Sequence, residues 1–325
     1  MVKAIRIHAH GGPEVMRWED CDPGAPGPGQ LRLRTVAIGV NFRDILVRTG
    51  LHPGAALPSG LGFEAAGIVE AVGSSVEGFR AGDRVVCAGG PDRGYAEAWV
   101  VPAWRCLALP DGIDERRAAA MMVRGMTARF LLFAVHPVKR GDAILIHAAA
   151  GGVGLIVCQW ARSLGATVIG TVGSEAKAEI ARAHGCEHAL VLGRDDFVAA
   201  AREITAGRGV DVVYDSIGRD TFEGSLRCLR PRGVLASFGE SSGDPQPVPP
   251  RRLGQMGSLF LTHPSLPHYT ATRAELEETA GDLFAAVLGG TVRIEVNQEY
   301  ALEDAAQAHR DLESRRTTGS TILIP

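Results

Sequence analysis

AILIHAAAGGVGLIVCQWARSLGATVIGTVGSEAK, residues 143–177, decides how the rest of the chain is read. An apolar run, AILIHA, gives way to a cluster of small residues, and a helical pattern follows. Val153, Val157, Ala161 and Leu164 recur at helical offsets, which predicts one stripe facing a sheet. Gly165 suits the left-handed residue that closes such a helix. The turn Ala149-x-Gly151-x-x-Gly154 therefore follows a strand and opens a helix, the context a dinucleotide fingerprint requires. Gly151 lets the backbone approach a pyrophosphate, and Gly154 lets the helix pack close to the strand. The helix N-terminus supplies free N–H groups and a partial positive charge.

Outward from this unit, strand and helix patterns alternate: ATVIGTV then SEAKAEIARAHG, ALVL then DDFVAAAREITAG, VDVVYDS then DTFEGSLRCLRPRG, GVLASF, and finally SLFLTH. The prediction is an α/β fold whose Rossmann domain, residues 125–264, holds a doubly wound parallel sheet of six strands. The connection PQPVPPRRLGQM is too rich in proline for a full helix and is expected to run over the surface. Upstream, residues 1–124 break into short alternating runs punctuated by glycine and proline, which predicts a β-rich domain. After residue 264 come a helix, RAELEETAGDLFAAVL, a strand-like TVRIEV, a helix, LEDAAQAHRDLESR, and a closing TILIP. This tail, 265–325, is assigned back to the first domain, because six strands already complete the α/β sheet.

A chain of 325 residues with 46% hydrophobic content has room for two domains of roughly 100 to 200 residues each. Lys+Arg number 34 against 37 Asp+Glu, with no block of like charge, which argues against nucleic acid or a polybasic membrane patch and for a small-molecule partner. The start, MVKAIRIHAHGG, alternates like a half-exposed strand instead of forming a signal peptide's apolar core, and no membrane span is expected. The six cysteines stand far apart, with no C-x-x-C pair and no metal-binding spacing, as reduced cytoplasmic thiols do.

Where an NAD site usually carries an acidic residue after its second strand, this chain reads Gly173-Ser174-Glu175-Ala176-Lys177. Small residues followed by a lysine leave room for a phosphate, so NADPH is expected over NADH, with Ser174 and Lys177 on the 2'-phosphate. The alternative for Lys177 is a solvated place on the helix's first turn, and Glu175 would repel phosphate if it pointed inward.

The motifs HGGPEVMRWED (10–20), AIGVNFRDILVRTGLHP (37–53), LPSGLGFEAAGIVEAVG (57–73), AGDRVV (81–86), HAAAGGVGL (147–155), VVYDSIGRDTF (212–222) and ESRRTTGSTILIP (313–325) together resemble a known family. They are similar to the zinc-free quinone oxidoreductases of the medium-chain dehydrogenases/reductases, zeta-crystallin among them. The resemblance implies a GroES-like β domain joined to the cofactor domain, a cleft between them for the nicotinamide, and a homodimer formed by edge strands of two cofactor sheets. It implies Asn41 at the nicotinamide ribose, Thr127 beside the nicotinamide ring, and Gly151, Gly152 and Val153 on the pyrophosphate. It further implies Gly173, Ser174 and Lys177 on the adenosine phosphate, Phe238, Gly239 and Ser241 along the far side of the cofactor, and Arg315 reaching the 2'-phosphate from the tail. For Arg315 a plain surface role stays open, and for Asn41 that of a turn-stabilising amide.

Zinc enzymes of the wider family carry a Gly-His-Glu triplet where this chain has Gly62-Phe63-Glu64, and phenylalanine cannot bind zinc. The four cysteines of a structural zinc site are also missing near residues 87–100. No metal is expected, so a quinone or another conjugated carbonyl, which takes hydride readily without a Lewis acid, is the expected acceptor. Two departures from the family stand out: Leu192 replaces a tyrosine that rests on the 2'-phosphoadenosine, and Leu46 replaces one in the substrate wall. Related enoyl-thioester reductases place a proton-donating tyrosine near His52, which makes His52 the candidate donor, with an idle solvated histidine as the alternative. Reduction of 2-enoyl thioesters or enones is the rival activity, and RNA binding or a crystallin role the non-catalytic one. No Ser-His-Asp hydrolase arrangement is read from the sequence.

Overall fold

The computed structural model describes residues 1–52, 56–90 and 93–325. The chain divides into two compact units, one of Met1–Arg124, Ala271–Phe284 and Ile294–Pro325, the other of Gly125–Thr270 and Ala285–Arg293. Within the tail, the short piece Ala285–Arg293 thus groups with the α/β unit.

In the second unit six parallel strands stand in the order His188–Val191, Thr167–Val172, Ala143–Ile146, Val210–Asp215, Leu229–Ser237, Phe260–Thr262. The chain works outward to one edge, returns to pair Val210–Asp215 with Ala143–Ile146, and works outward to the other. That reversal is the switch point at which open α/β sheets bind ligands. Near-continuous apolar strands suit a sheet covered on both faces, and Ile144, Leu145, Ile146, Val212 and Val213 have no exposed surface. On the helix Gly152–Ser163, Val157 and Ala161 of the expected stripe are buried. The buried face is wider than that stripe, because Leu155, Ile156, Cys158 and Trp160 are covered too, the last edge-on to Phe133 at 5.2 Å.

Two expectations shift here. The proline-rich connection does hold a short helix, Pro250–Gln255, since a proline at the first helical position gives up an N–H that needs no partner. The helix expected through DTFEGSLRCLRPRG ends at Cys228, and Leu229 begins the next strand. Pro231, with no N–H, and Arg232, at φ 60, do not continue a helix.

The first unit is β-rich. One sheet runs Val296–Ala301, Ser320–Ile324, Gln30–Gly39, Glu64–Val72, Arg84–Ala88, Cys106–Ala108, with Ala98–Pro102 also paired to Gln30–Gly39. A smaller one joins Met16–Cys21, Val2–Ile7 and Ser59–Gly60. Ile5, Ile7, Leu31, Leu33, Ile38 and Trp99 fill the core between them. The strand expected at TVRIEV starts only at Val296, because Val292 is buried and its N–H closes the preceding helix on Ala286 O at 3.0 Å. Helices interrupt the β pattern, among them Phe42–Thr49, Ala305–Glu313 and the start of Glu115–Phe130, whose later residues belong to the second unit and are continued there by a π-helical turn, Leu131–Val135. Among the described residues Glu115–Val135 is the one stretch long and apolar enough to cross a membrane, and 72% of its most apolar window is buried inside the protein.

Candidate active site

The glycine turn lies at the carboxyl end of Ala143–Ile146, at the switch point. Its tightness is enforced by contact: a Cβ on Gly154 would stand 2.4 Å from Ala148 O and 2.7 Å from Ala149 Cα. Ala148 takes the left-handed conformation, φ 53, so that Gly151 N–H can return to Ala148 O at 2.8 Å. Gly151 then caps the helix Gly152–Ser163 without a side chain to fill its first turn. The N–H groups of that turn have no carbonyl one turn back, and their dipole favours an anion. Gly151, Gly152 and Val153 are half-exposed, so the backbone itself is the binding surface. A helix start with no capping side chain, packed so closely that only glycine fits at Gly154, suits a dinucleotide's diphosphate at the switch point.

Gly173, Ser174 and Lys177 lie at the carboxyl end of the neighbouring strand, Thr167–Val172. Gly173 is exposed, with nothing within 4 Å of where a Cβ would be. Ser174 caps the helix Glu175–Ala183, its Oγ accepting from Lys177 N–H at 3.3 Å. Glu175 does not stand alone. Its carboxylate is held by Arg182 Nη1 at 2.8 Å and Arg194 Nη1 at 2.7 Å, and these cations push its pKa down. Its charge is thus balanced beside Ser174.

Phe238, Gly239 and Ser241 follow Leu229–Ser237 at the same end of the sheet. Phe238 N–H donates to Asp215 O at 2.8 Å and Ser241 N–H to Ser216 O at 3.3 Å, which fastens this loop to the next strand end. Thr127, buried on the helix Glu115–Phe130, is also in the second unit.

In the first unit Asn41 is buried and caps Phe42–Thr49. Its N–H donates to Asp44 Oδ2 at 2.8 Å and its Nδ2 to Glu64 Oε1 at 2.7 Å. Glu64 has no exposed surface; its Oε2 accepts from Val123 N–H at 2.7 Å, and Arg124 lies 3.4 Å from Oε1. Burial raises the Glu64 pKa, against the pull of Arg124. Gly39 makes room for that carboxylate, since a Cβ there would meet Glu64 Oε1 at 2.2 Å. Where a zinc enzyme has its histidine, the ring of Phe63 receives the Arg43 guanidinium 4.0 Å from its centroid. Among the described residues no three His, Cys, Asp or Glu side chains gather as a metal site.

His52 is half-buried just past Phe42–Thr49, its N–H donating to Leu46 O at 3.0 Å, and the adjoining residues 53–55 lie outside the described ones. Arg315 is exposed at the end of Ala305–Glu313, in the left-handed conformation at φ 58.

Two clusters escaped the sequence reading. Behind the Asn41 cap, Arg48, His309, Tyr95 and Asp44 form a buried chain of hydrogen bonds. Under the glycine turn His147 is buried, with Nδ1 2.7 Å from Thr171 Oγ1 and Nε2 2.9 Å from Ser225 Oγ, which donates to Asp215 Oδ2 at 2.7 Å. A serine, a histidine and an aspartate do therefore meet, but the serine stands between the other two and all three are inaccessible. A hydrolase needs the histidine in the middle and the serine exposed to substrate. The same Asp215 accepts from Thr221 Oγ1 and from the N–H groups of Ile217 and Gly218, so the cluster fastens the loops around the turn. Their partners are 78 and 10 residues apart in sequence, and no local signal marks them.

Residues 27–111 match the model for an alcohol dehydrogenase GroES-like domain and residues 152–283 that for a zinc-binding dehydrogenase. The chain is 48% identical to the quinone oxidoreductase of Pseudomonas aeruginosa, over all of both chains. It is likewise 48% identical to a 2-haloacrylate reductase from a Burkholderia species, over all of this chain and 99% of that one. Its structure matches the crystal structure of Escherichia coli quinone oxidoreductase complexed with NADPH at a TM-score of 0.97 and 46% identity, covering 99% of this chain and 100% of the other.

Proposed function

This chain belongs to the quinone oxidoreductases, and from that premise we propose that it transfers a hydride from NADPH to a quinone without a metal. The observation that carries the reading is the glycine turn at the switch point, where only an unsubstituted Gly154 fits and the helix start is left to a ligand. When bound, NADPH supplies the hydride from its nicotinamide. The protein supplies position: the N–H groups of Gly152 and Val153 hold the diphosphate where Gly151 lets it approach, Ser174 and Lys177 hold the 2'-phosphate with Gly173 leaving it room, and Phe238, Gly239 and Ser241 flank the cofactor. Thr127 serves the nicotinamide ring, Asn41 the nicotinamide ribose, and Arg315 the 2'-phosphate. Holding donor and acceptor in contact supplies much of the rate. A quinone that has taken hydride needs a proton, and His52 is the group assigned to give it. The small molecule is the partner, not a nucleic acid or a membrane. The reading makes the enzyme a cytoplasmic homodimer.

A second reading has its own observation: the 2-haloacrylate reductase is as similar to this chain as the Pseudomonas quinone oxidoreductase. Both names describe hydride acceptors with a conjugated double bond. The experiment is NADPH oxidation against a panel of benzoquinones, enones, 2-haloacrylates and enoyl thioesters, each repeated with NADH. Quinones turned over fastest, and with NADPH about tenfold better than NADH, is the expected result. Inert quinones beside an active acrylate or thioester would transfer the assignment to the second reading. The quinone assay on His52→Ala over about pH 6 to 8 tests the proton donor: an unchanged pH profile removes His52 from the mechanism.

A further inference from the structure

Leu192 leaves the adenosine end one polar side chain short of the family pattern, and the chain turns sharply just after it. Leu192 N–H donates to Val172 O at 2.8 Å, which sets Leu192 beside the strand end that leads into Gly173. Gly193 is left-handed at φ 85, with nothing within 4 Å of its Cβ position. The next residue, Arg194, is directed back over the start of the helix Glu175–Ala183, where Nη1 meets Glu175 Oε2 at 2.7 Å. Asp195 holds the other side of the same guanidinium, Oδ1 on Nε and Oδ2 on Nη2, both at 2.9 Å. Asp195 is itself anchored by Val191 N–H at 2.7 Å. The second arginine, Arg182, reaches Glu175 from further along the helix at 2.8 Å. One carboxylate, adjoining Ser174, is thus gripped by two guanidinium groups.

We infer that Arg194 is a specificity-determining residue for the cofactor's 2'-phosphate, offering the phosphate the guanidinium N–H groups that Glu175 and Asp195 leave over and standing in for the aromatic side chain that Leu192 lacks. The inference rests on the NADPH reading above and names how this chain achieves it. Two physical reasons favour it. A guanidinium presents several N–H groups in a fixed fork and can serve a carboxylate and a phosphate at once. Without it Glu175 would keep only Arg182 to offset its negative charge next to the bound phosphate, and the two would repel more strongly. The phosphate is the only part of NADPH that NADH lacks, so the effect is confined to one cofactor.

The test is binding, followed by fluorescence on the whole protein, of NADPH, NADH, 2',5'-ADP and 5'-AMP. Arg194→Ala is expected to weaken NADPH and 2',5'-ADP about tenfold and leave NADH and 5'-AMP within about twofold. Arg194→Lys is expected to recover part of the loss. Glu175→Gln, which removes the competing charge, is expected to tighten NADPH about threefold and leave NADH alone. Equal losses for both cofactors from Arg194→Ala would mean that the residue only braces the loop, and would overturn the inference while leaving the NADPH reading intact. Loss of neither would overturn it as well. Wild-type protein that binds NADPH no better than NADH would sink the phosphate reading and the inference with it.

Discussion

At the scale of single residues, two glycines of one turn divide the work between folding and binding. A Cβ on Gly154 would be driven into Ala148 O at 2.4 Å and Ala149 O at 2.7 Å, both backbone atoms that cannot step aside. Gly154→Ala is therefore expected to destabilise the second unit by about 3 kcal/mol, read as a fall in urea midpoint. At Gly151 the nearest atom to a Cβ is Ala148 O at 3.1 Å, and the backbone, at φ −85 and ψ 174, is one any residue adopts. Gly151→Ala should cost less than about 1 kcal/mol in stability. The added methyl would nonetheless stand where the diphosphate approaches the N–H groups, so NADPH binding should weaken about tenfold. If Gly151→Ala keeps both its stability and its NADPH affinity, the diphosphate is held elsewhere.

At the scale of elements, the helix Phe42–Thr49 is tied to the helix Ala305–Glu313 by buried hydrogen bonds whose direction can be worked out. Arg48 has only donors, so Nη1 donates to His309 Nδ1 at 3.1 Å. That leaves His309 Nε2–H to donate to Tyr95 Oη at 3.1 Å, and Tyr95 to donate to Asp44 Oδ2 at 3.0 Å, the carboxylate that holds Asn41 N–H. Arg48 also pairs with Glu313 at 2.6 Å. A protonated His309 would lose its acceptor and face Arg48 as a like charge, and burial with that neighbour depresses its pKa to about 3. Burial brings His147 down to about 4 in spite of Asp215. Both rings are neutral in the folded protein, while in the unfolded chain each takes a proton near 6.5. The unfolded state thus binds more protons below that pH: the stability is complete above it and drains away as pH falls toward 4. Between pH 7 and pH 5 each ring should cost about 2 kcal/mol, visible as a falling urea midpoint. His309→Gln should start lower at pH 7 and show a shallower fall over the same range. An equal slope in both proteins would show that His309 is not held neutral by this chain of bonds.

At the scale of the molecule, local periodicity made the α/β sheet legible, because its strands and most of its helices declare themselves within about ten residues. The turn Ala149-x-Gly151-x-x-Gly154 was legible for the same reason. Illegible were the helix Phe42–Thr49, too short for a strong pattern, and every contact between distant segments, such as Arg48 with Glu313, 265 residues apart. The sequence also left the charge of Glu175 without a partner, and only the placement of Arg182 and Arg194 shows how it is balanced. Edge strands belong to this scale too. Phe260–Thr262 pairs on one side only, with Val234–Ala236, at the end of the six-stranded sheet. Phe260 is 59% exposed and Leu261 38%, an apolar pair beside unpaired backbone N–H and C=O groups. Such an edge, left uncharged, invites pairing with another strand, and a second copy of the same strand supplies one with matching apolar groups. Light scattering is expected to give a mass near twice the 34.3 kDa chain. Phe260→Lys sets a charge in that edge without disturbing the core, so it should yield a folded monomer with unchanged NADPH affinity. A wild-type monomer at micromolar concentration, or a variant that keeps the wild-type mass, would place the interface somewhere other than this strand.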